Sequence, residues 1–230
     1  MRTLFSALFL GATCLGAATL SAAPPAPPEA SFRVGGVAFG LPLPKGYCLP
    51  RGQQVDIARL VAAGDLRNVT HLTLFPCDAP VDAAGLSAQR DYILIKTPKE
   101  VLNVQLTREA LLQGLGEAFE NPAFAQALAS GQLLKDAGKG VSDVIGTPID
   151  LSGNIAPRGK DDVCAYLGGT VGIASRTNSY TLAVGTCITA VGGRAISVNW
   201  YGSDERPAGV ARLLANSKGL ALTINRQTEP

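Results

Sequence analysis

Four cysteines, Cys48, Cys77, Cys164 and Cys187, constrain this chain more than any other feature. They do so because the segment ahead of them reads as an export signal. Arg2 supplies a positive start, Leu4 to Leu15 an apolar run, and Leu20-Ser21-Ala22-Ala23 the small residues a signal peptidase cuts beside. Pro24 disfavours a cut after Ala23, so cleavage is expected after Ala22. Residues 1–22 are then a signal peptide, residues 23–31 a Pro/Ala-rich spacer, and residues 32–230 a single globular domain. The rival reading is a lipid anchor on Cys14, since Gly11-Ala12-Thr13-Cys14 faintly resembles a lipobox. Thr13 is unusual in that place, and the apolar run continues past Cys14. The expected destination is therefore the periplasm or the cell exterior.

In an oxidising compartment an even number of cysteines reads as a disulfide framework with three possible connectivities. Sequence neighbours are the expected partners, Cys48–Cys77 and Cys164–Cys187, with crossed pairings and free thiols left open. No C-x-x-C is present to support thioredoxin-like redox work.

After cleavage roughly 200 residues remain, the size of one large or two small domains. A hydrophobic content of 47% against 17% charged residues marks a folded chain rather than a disordered one. The formal net charge is +2, and Lys and Arg are scattered singly. Nothing there resembles a nucleic-acid footprint. No run after the leader is long and apolar enough for a spanning helix.

Periodicity sets the fold class. Structure is expected from about Phe32, and Val37, Phe39, Leu41 and Leu43 alternate as in a half-buried strand. Pro44-Lys45-Gly46 then makes a turn leading to Tyr47 and Cys48. Ile57, Leu60 and Val61 share a helical face ending at Gly64, and strands follow over 69–77 and 91–96. Thr107 caps a helix carrying Leu111, Leu112, Leu115 and Phe119. Asn121-Pro122 starts another, expected to bury Phe124, Ala127 and Leu128 and to break near Gly138.

The remainder reads as an antiparallel meander. Ile149, Leu151 and Ile155 form one inward set, a strand covers 163–173, and Gly192-Gly193 joins two more strands as a hairpin. From Arg206 a closing helix is expected, with Leu220 to Ile224 open to a short edge strand instead. The order predicts α+β, an antiparallel sheet with helices packed on it, α/β/α sandwich-like, in one domain.

Catalytic equipment is sparse. The sole histidine, His71, sits on a strand and has no G-x-S-x-G elbow to serve. Asp161-Asp162 lies in a polar turn without the His and Cys that would make a metal site. Gly168-Gly169-Thr170-Val171-Gly172 lies within a strand, away from the helix start a phosphate loop needs. No catalytic residue, metal or cofactor is therefore assigned. The candidate binding residues are Trp200 and Tyr201, which end a strand before a polar loop; an exposed pair would offer a large apolar anchor. The competing role for Trp200 is to fill the core beneath a helix.

The P-x-G-Y-C corner (Pro44-Lys45-Gly46-Tyr47-Cys48), followed by a helix and a strand ending in Phe75-Pro76-Cys77, resembles a family of uncharacterised exported bacterial proteins. Their layout is similar to PsbP-like domains. The resemblance implies an α/β/α sandwich in the bacterial envelope and an accessory or binding role, and it transfers no catalytic residue. The expected function is thus a non-catalytic exported domain binding an envelope protein or a small ligand, with no nucleic acid and no spanning segment. The alternatives are an envelope assembly or structural factor and a hydrolase with an unrecognised site.

Overall fold

The computed structural model describes residues 28–79 and 90–228. The expected signal peptide, Cys14 and the first part of the spacer lie outside the described residues.

Two antiparallel sheets carry the fold. Strands β1 (Glu29–Val34) and β2 (Val37–Pro42) form a hairpin, and β10 (Asn225–Arg226) adds to the free side of β2. Gly35 and Gly36 at the turn have φ of +52° and +83°, the mirror-image conformation that suits the twist of a two-residue hairpin. The larger sheet has seven strands in the order β3 (Tyr47–Cys48), β4 (Asn68–Pro76), β5 (Tyr92–Pro98), β9 (Arg194–Gly202), β8 (Ser179–Val191), β7 (Ala165–Ala174) and β6 (Asp150–Lys160). Every pairing is antiparallel.

One face of this sheet is buried under the small sheet and helix α5 (Pro207–Thr223). Successive strand residues alternate faces, so Leu74, Ile93, Ile95, Ile196 and Val198 point the same way. They are fully buried with Val34, Phe39 and Leu41 of the small sheet. Helix α5 adds Val210, Leu213, Leu220 and Ala221. Its backbone comes unusually near the sheet, because Gly168 and Gly185 stand side by side on β7 and β8 beneath it. A Cβ on Gly185 would lie 2.6 Å from the Leu213 carbonyl carbon and the Leu214 nitrogen. Ser217 uses this proximity: its hydroxyl donates to the Gly185 carbonyl at 2.8 Å, fully buried.

The opposite side is served by α1 (Gln53–Gly64), α2 (Arg108–Glu120), α3 (Pro122–Ala129) and α4 (Gln132–Ile145). Helices α2, α3 and α4 pack along β6, and α1 lies between α4 and β4. Asp65, just past α1, accepts from the Lys96 ammonium of β5 at 2.7 Å and ties this layer to the sheet. The architecture is α+β with helices packed on antiparallel sheet.

The caps at Thr107 and Asn121 form as expected, each side chain accepting from a backbone N–H in the first turn. Elsewhere the boundaries differ from the reading of the sequence. Strand β1 starts at Glu29 and so takes up the last residues of the 23–31 spacer. The second middle helix breaks at Gly131, whose φ is +68°, and α4 continues through Gly138 to Gly146. Gly138 is needed for close contact instead: a Cβ there would sit 3.1 Å from the Ile149 carbonyl oxygen. Phe124 and Leu128 are half-buried and Ala127 is exposed. Residues 220–223 are helical, the edge strand being only Asn225–Arg226.

His71 sits at a register shift in β4 and turns its ring toward the small sheet, 5.7 Å from Phe32. Thr97 donates its hydroxyl to the Ala195 carbonyl at 2.9 Å, so His71 Nε2, 3.0 Å from Thr97 Oγ1, carries the proton and donates. Burial lowers the imidazole from its ordinary 6.5 to about 4. The unfolded chain therefore binds the proton first. This contribution to stability is complete above pH 6.5 and is lost as pH falls toward 4. We expect the melting temperature to decline across that window and the decline to flatten in His71→Gln; an equal slope in both proteins would refute the assignment.

Candidate functional site

The Pro44–Gly46 turn, the two-residue strand β3 and the ends of β9 and α5 enclose a cleft of about 430 Å³. Its apolar surfaces are Pro44, Tyr47, Trp200 and Leu213; its polar lining includes Lys45, Asp91, Ser203, Asp204, Arg212 and Asn216. Local rules place each wall. Gly46, with φ of +82°, allows the chain to reverse after Pro44 and Lys45. Tyr47 then pairs with Pro76 and Cys48 with Phe75 at the end of β4. The Cys48–Cys77 disulfide and the Cys77 N–H to Gly46 carbonyl bond of 2.8 Å fix the corner behind the cleft. Arg51 also donates to the Cys77 carbonyl.

Trp200 forms the floor and is 9% exposed. Its ring meets Tyr47 edge-on at 5.2 Å, and Nε1–H donates to the Tyr47 hydroxyl oxygen at 3.1 Å. The Tyr47 oxygen is thus an acceptor, and among the described residues no acceptor receives its own proton. Burial raises the Tyr47 pKa, and Asp91 pushes it the same way against the Trp200 bond, so the phenol stays protonated at neutral pH.

Across the cleft, Asp204 is shared by two guanidinium groups. Arg206 donates through Nε at 2.8 Å and Nη2 at 3.1 Å, and Arg212 through Nη2 at 3.1 Å. The Arg206 bonds come first, with Arg212 adding to them, in holding the Asp204 carboxyl well below the usual carboxylate range. Two cations, Lys45 and Arg212, thus line the cleft with two carboxylates, Asp91 and Asp204, and Arg206 binds Asp204 from outside the lining.

The structure separates the two residues that the sequence suggested as a pair. Trp200 faces the cleft and the core, while Tyr201, one step along the strand, projects to the other face. There Tyr201 stacks on Tyr92 at 4.4 Å, and Phe75 lies 6.4 Å beyond Tyr92. Trp200 is buried in the core beneath α5 and also lines the cleft. Lys45, Tyr47 and Arg212 were not singled out by sequence as binding residues. The P-x-G-Y-C corner flagged two of them, but their approach to α5 is a long-range contact that no local spacing encodes.

The second disulfide joins Cys164 to Cys187, both fully buried between β7 and β8. Next to it, Asp161 accepts from the Tyr166 hydroxyl at 2.7 Å and from the Lys218 ammonium at 2.6 Å. These bonds pin α5 to the turn before β7. Among the described residues no three His, Cys, Asp or Glu side chains gather where they could hold a metal ion, and no helix is long and apolar enough to cross a membrane.

No known family's sequence profile matches this chain, and no curated protein matches it. Among solved structures it is similar to the solution structure of cyanobacterial PsbP (CyanoP) from Synechocystis sp. PCC 6803, over 93% of this chain and 99% of that one, at 11% sequence identity and a TM-score of 0.37.

Proposed function

We propose that this protein is an exported, non-catalytic binding module of the cell envelope, and that it holds a partner protein or small ligand in the cleft floored by Trp200. The observation that carries the reading is the cleft itself. It combines an aromatic floor, an unshared phenolic proton and charged walls, the few convergent polar groups on an apolar base that a binding site requires. The one histidine supports the non-catalytic part, because its Nε2–H is committed to Thr97. The two disulfides support an oxidising location.

Filling the cleft tests the proposal. Asn216 is an exposed lining residue on α5, so Asn216→Phe obstructs the cleft while leaving the core intact. Mild crosslinking in the envelope fraction, followed by purification, should recover a specific partner with the wild-type protein. At least tenfold less should come with Asn216→Phe at an unchanged melting temperature. Equal recovery would remove the cleft from the interaction.

A further inference from the structure

We infer that the cleft selects an anionic ligand, a carboxylate beside an apolar body, with the carboxylate held by Tyr47, Lys45 and Arg212 and the apolar part resting on Trp200. The inference rests on the proposed binding role of the same cleft and names the chemistry it recognises.

Three features point to it. The first is hydrogen-bond direction. The Tyr47 oxygen already accepts from Trp200 Nε1–H at 3.1 Å, so what the phenol still offers is a proton to donate. A hydroxyl that accepts one bond becomes a better donor in the next, and the half-buried setting strengthens the effect. The ligand group that answers such a donor is an acceptor.

The second feature is charge. Asp204 already takes two bonds from Arg206, which stands outside the lining, so its single bond to Arg212 leaves the other N–H groups of that lining guanidinium open to a ligand. Lys45 stands on the opposite wall and, among the described residues, makes no ion pair. Asp91 also lines the cleft and places its carboxylate near Gly202; its charge opposes an anion and limits the preference to a single negative group. Arginine and a hydroxyl donor together suit the planar, two-oxygen geometry of a carboxylate.

The third feature is shape. Pro44, Trp200 and Leu213 give an apolar base beside these donors, so a bare inorganic anion would leave part of the site unused. The same chemistry is available from a free small carboxylate or from an acidic residue next to an aromatic or aliphatic one in a peptide segment.

Trp200 is the only tryptophan in the chain, so its fluorescence reports the cleft directly. Titration of the full-length exported protein with N-acetylphenylalanine should give a saturable change in emission. The uncharged N-acetylphenylalanine amide, equal in shape, should bind at least tenfold more weakly, which is about 1.4 kcal/mol. Inorganic phosphate should compete poorly, and added salt should weaken the acid far more than the amide. Lys45→Gln and Arg212→Gln, both at exposed or rim positions, should each weaken the acid severalfold and together remove its advantage. An Ac-Ala-Phe-Glu amide peptide, with one carboxylate, that binds at least tenfold more tightly than the single residue identifies a peptide source; equal binding identifies a small carboxylate. Both outcomes support the anionic class.

Acid and amide binding alike, or an unchanged affinity in the double variant, would overturn it. If both ligands then bind wild type but not Asn216→Phe, only the anionic preference fails and the cleft remains the binding site. If neither ligand changes the emission and Asn216→Phe also leaves partner recovery intact, both proposals fail.

Discussion

Gly185→Val is expected to yield no folded protein, and Gly185→Ala to lose at least about 3 kcal/mol of stability, at the upper end of what core overpacking costs. The reason lies in what the new atoms would meet. The ideal Cβ position is 2.6 Å from two backbone atoms of α5 and 2.8 Å from the Leu213 Cβ. A flexible side chain could turn away, but helix backbone moves only if the whole helix lifts. Lifting α5 would uncover Val210, Leu213 and Leu220 and break the buried Ser217 bond to the Gly185 carbonyl. Gly219, on the same helix, has nothing within 4 Å of its Cβ position. Gly219→Ala should therefore stabilise by up to about 1 kcal/mol through helix propensity alone. Urea unfolding of the three variants measures both effects. A Gly185→Ala protein as stable as wild type would show that α5 does not approach the sheet as described.

Removing the buried disulfide should rank second. Cys164 and Cys187 are 23 residues apart and wholly buried, so Cys164→Ala with Cys187→Ala should cost about 3 kcal/mol in the chain-entropy account. For a domain of this size that lowers the melting temperature by roughly 6–12 °C. The Cys48–Cys77 pair closes a loop of similar length, with a separation of 29, yet its residues are half-buried at the corner behind Tyr47. Its alanine variant should lose comparable stability and, unlike the first, shift the emission of Trp200, because the wall that touches the indole is released. Calorimetry and fluorescence on the two double variants separate these outcomes. Similar emission changes in both would show that the corner is held without its disulfide.

Much of the secondary structure was legible because the signals are local. Gly192-Gly193, with φ of +53° and +81°, lets Val191 pair with Arg194 across a two-residue turn, and Asn121-Pro122 starts a helix by capping and by proline geometry. The hairpin at Gly35-Gly36 carries the same signal, but the composition of residues 23–31 reads as spacer and hides the first half of β1. The break at Gly131 instead of Gly138 could not be read locally. Both are glycines in a helical pattern, and only tertiary contact between Gly138 and Ile149 decides which stays helical.

The candidate site was legible in part. Alternation along β9 already places Trp200 and Tyr201 on opposite faces, so the strand itself argued against one paired surface. What joins Trp200 to Tyr47 is a hydrogen bond spanning 153 residues, set by β3 pairing at one sheet edge and β9 lying at the centre. The capture of Asp204 by Arg206 and Arg212 is more local. Its charges sit within eight positions at the start of α5, although residues 202–206 alone read as no more than a polar loop.

The three-stranded sheet imposes an order on synthesis. Strand β2 is sandwiched between β1, among the earliest described segments, and β10, among the last. Gln227 donates its N–H to the Ala38 carbonyl and its side-chain amide to the Glu29 carboxylate, sewing the two ends of the described domain together. A chain delivered from its N-terminus therefore holds a hairpin whose β2 edge stays unpaired until β10 has emerged. Such distant pairings raise contact order and slow closure. Until then the open edge of β2 offers unpaired N–H and C=O groups to other chains.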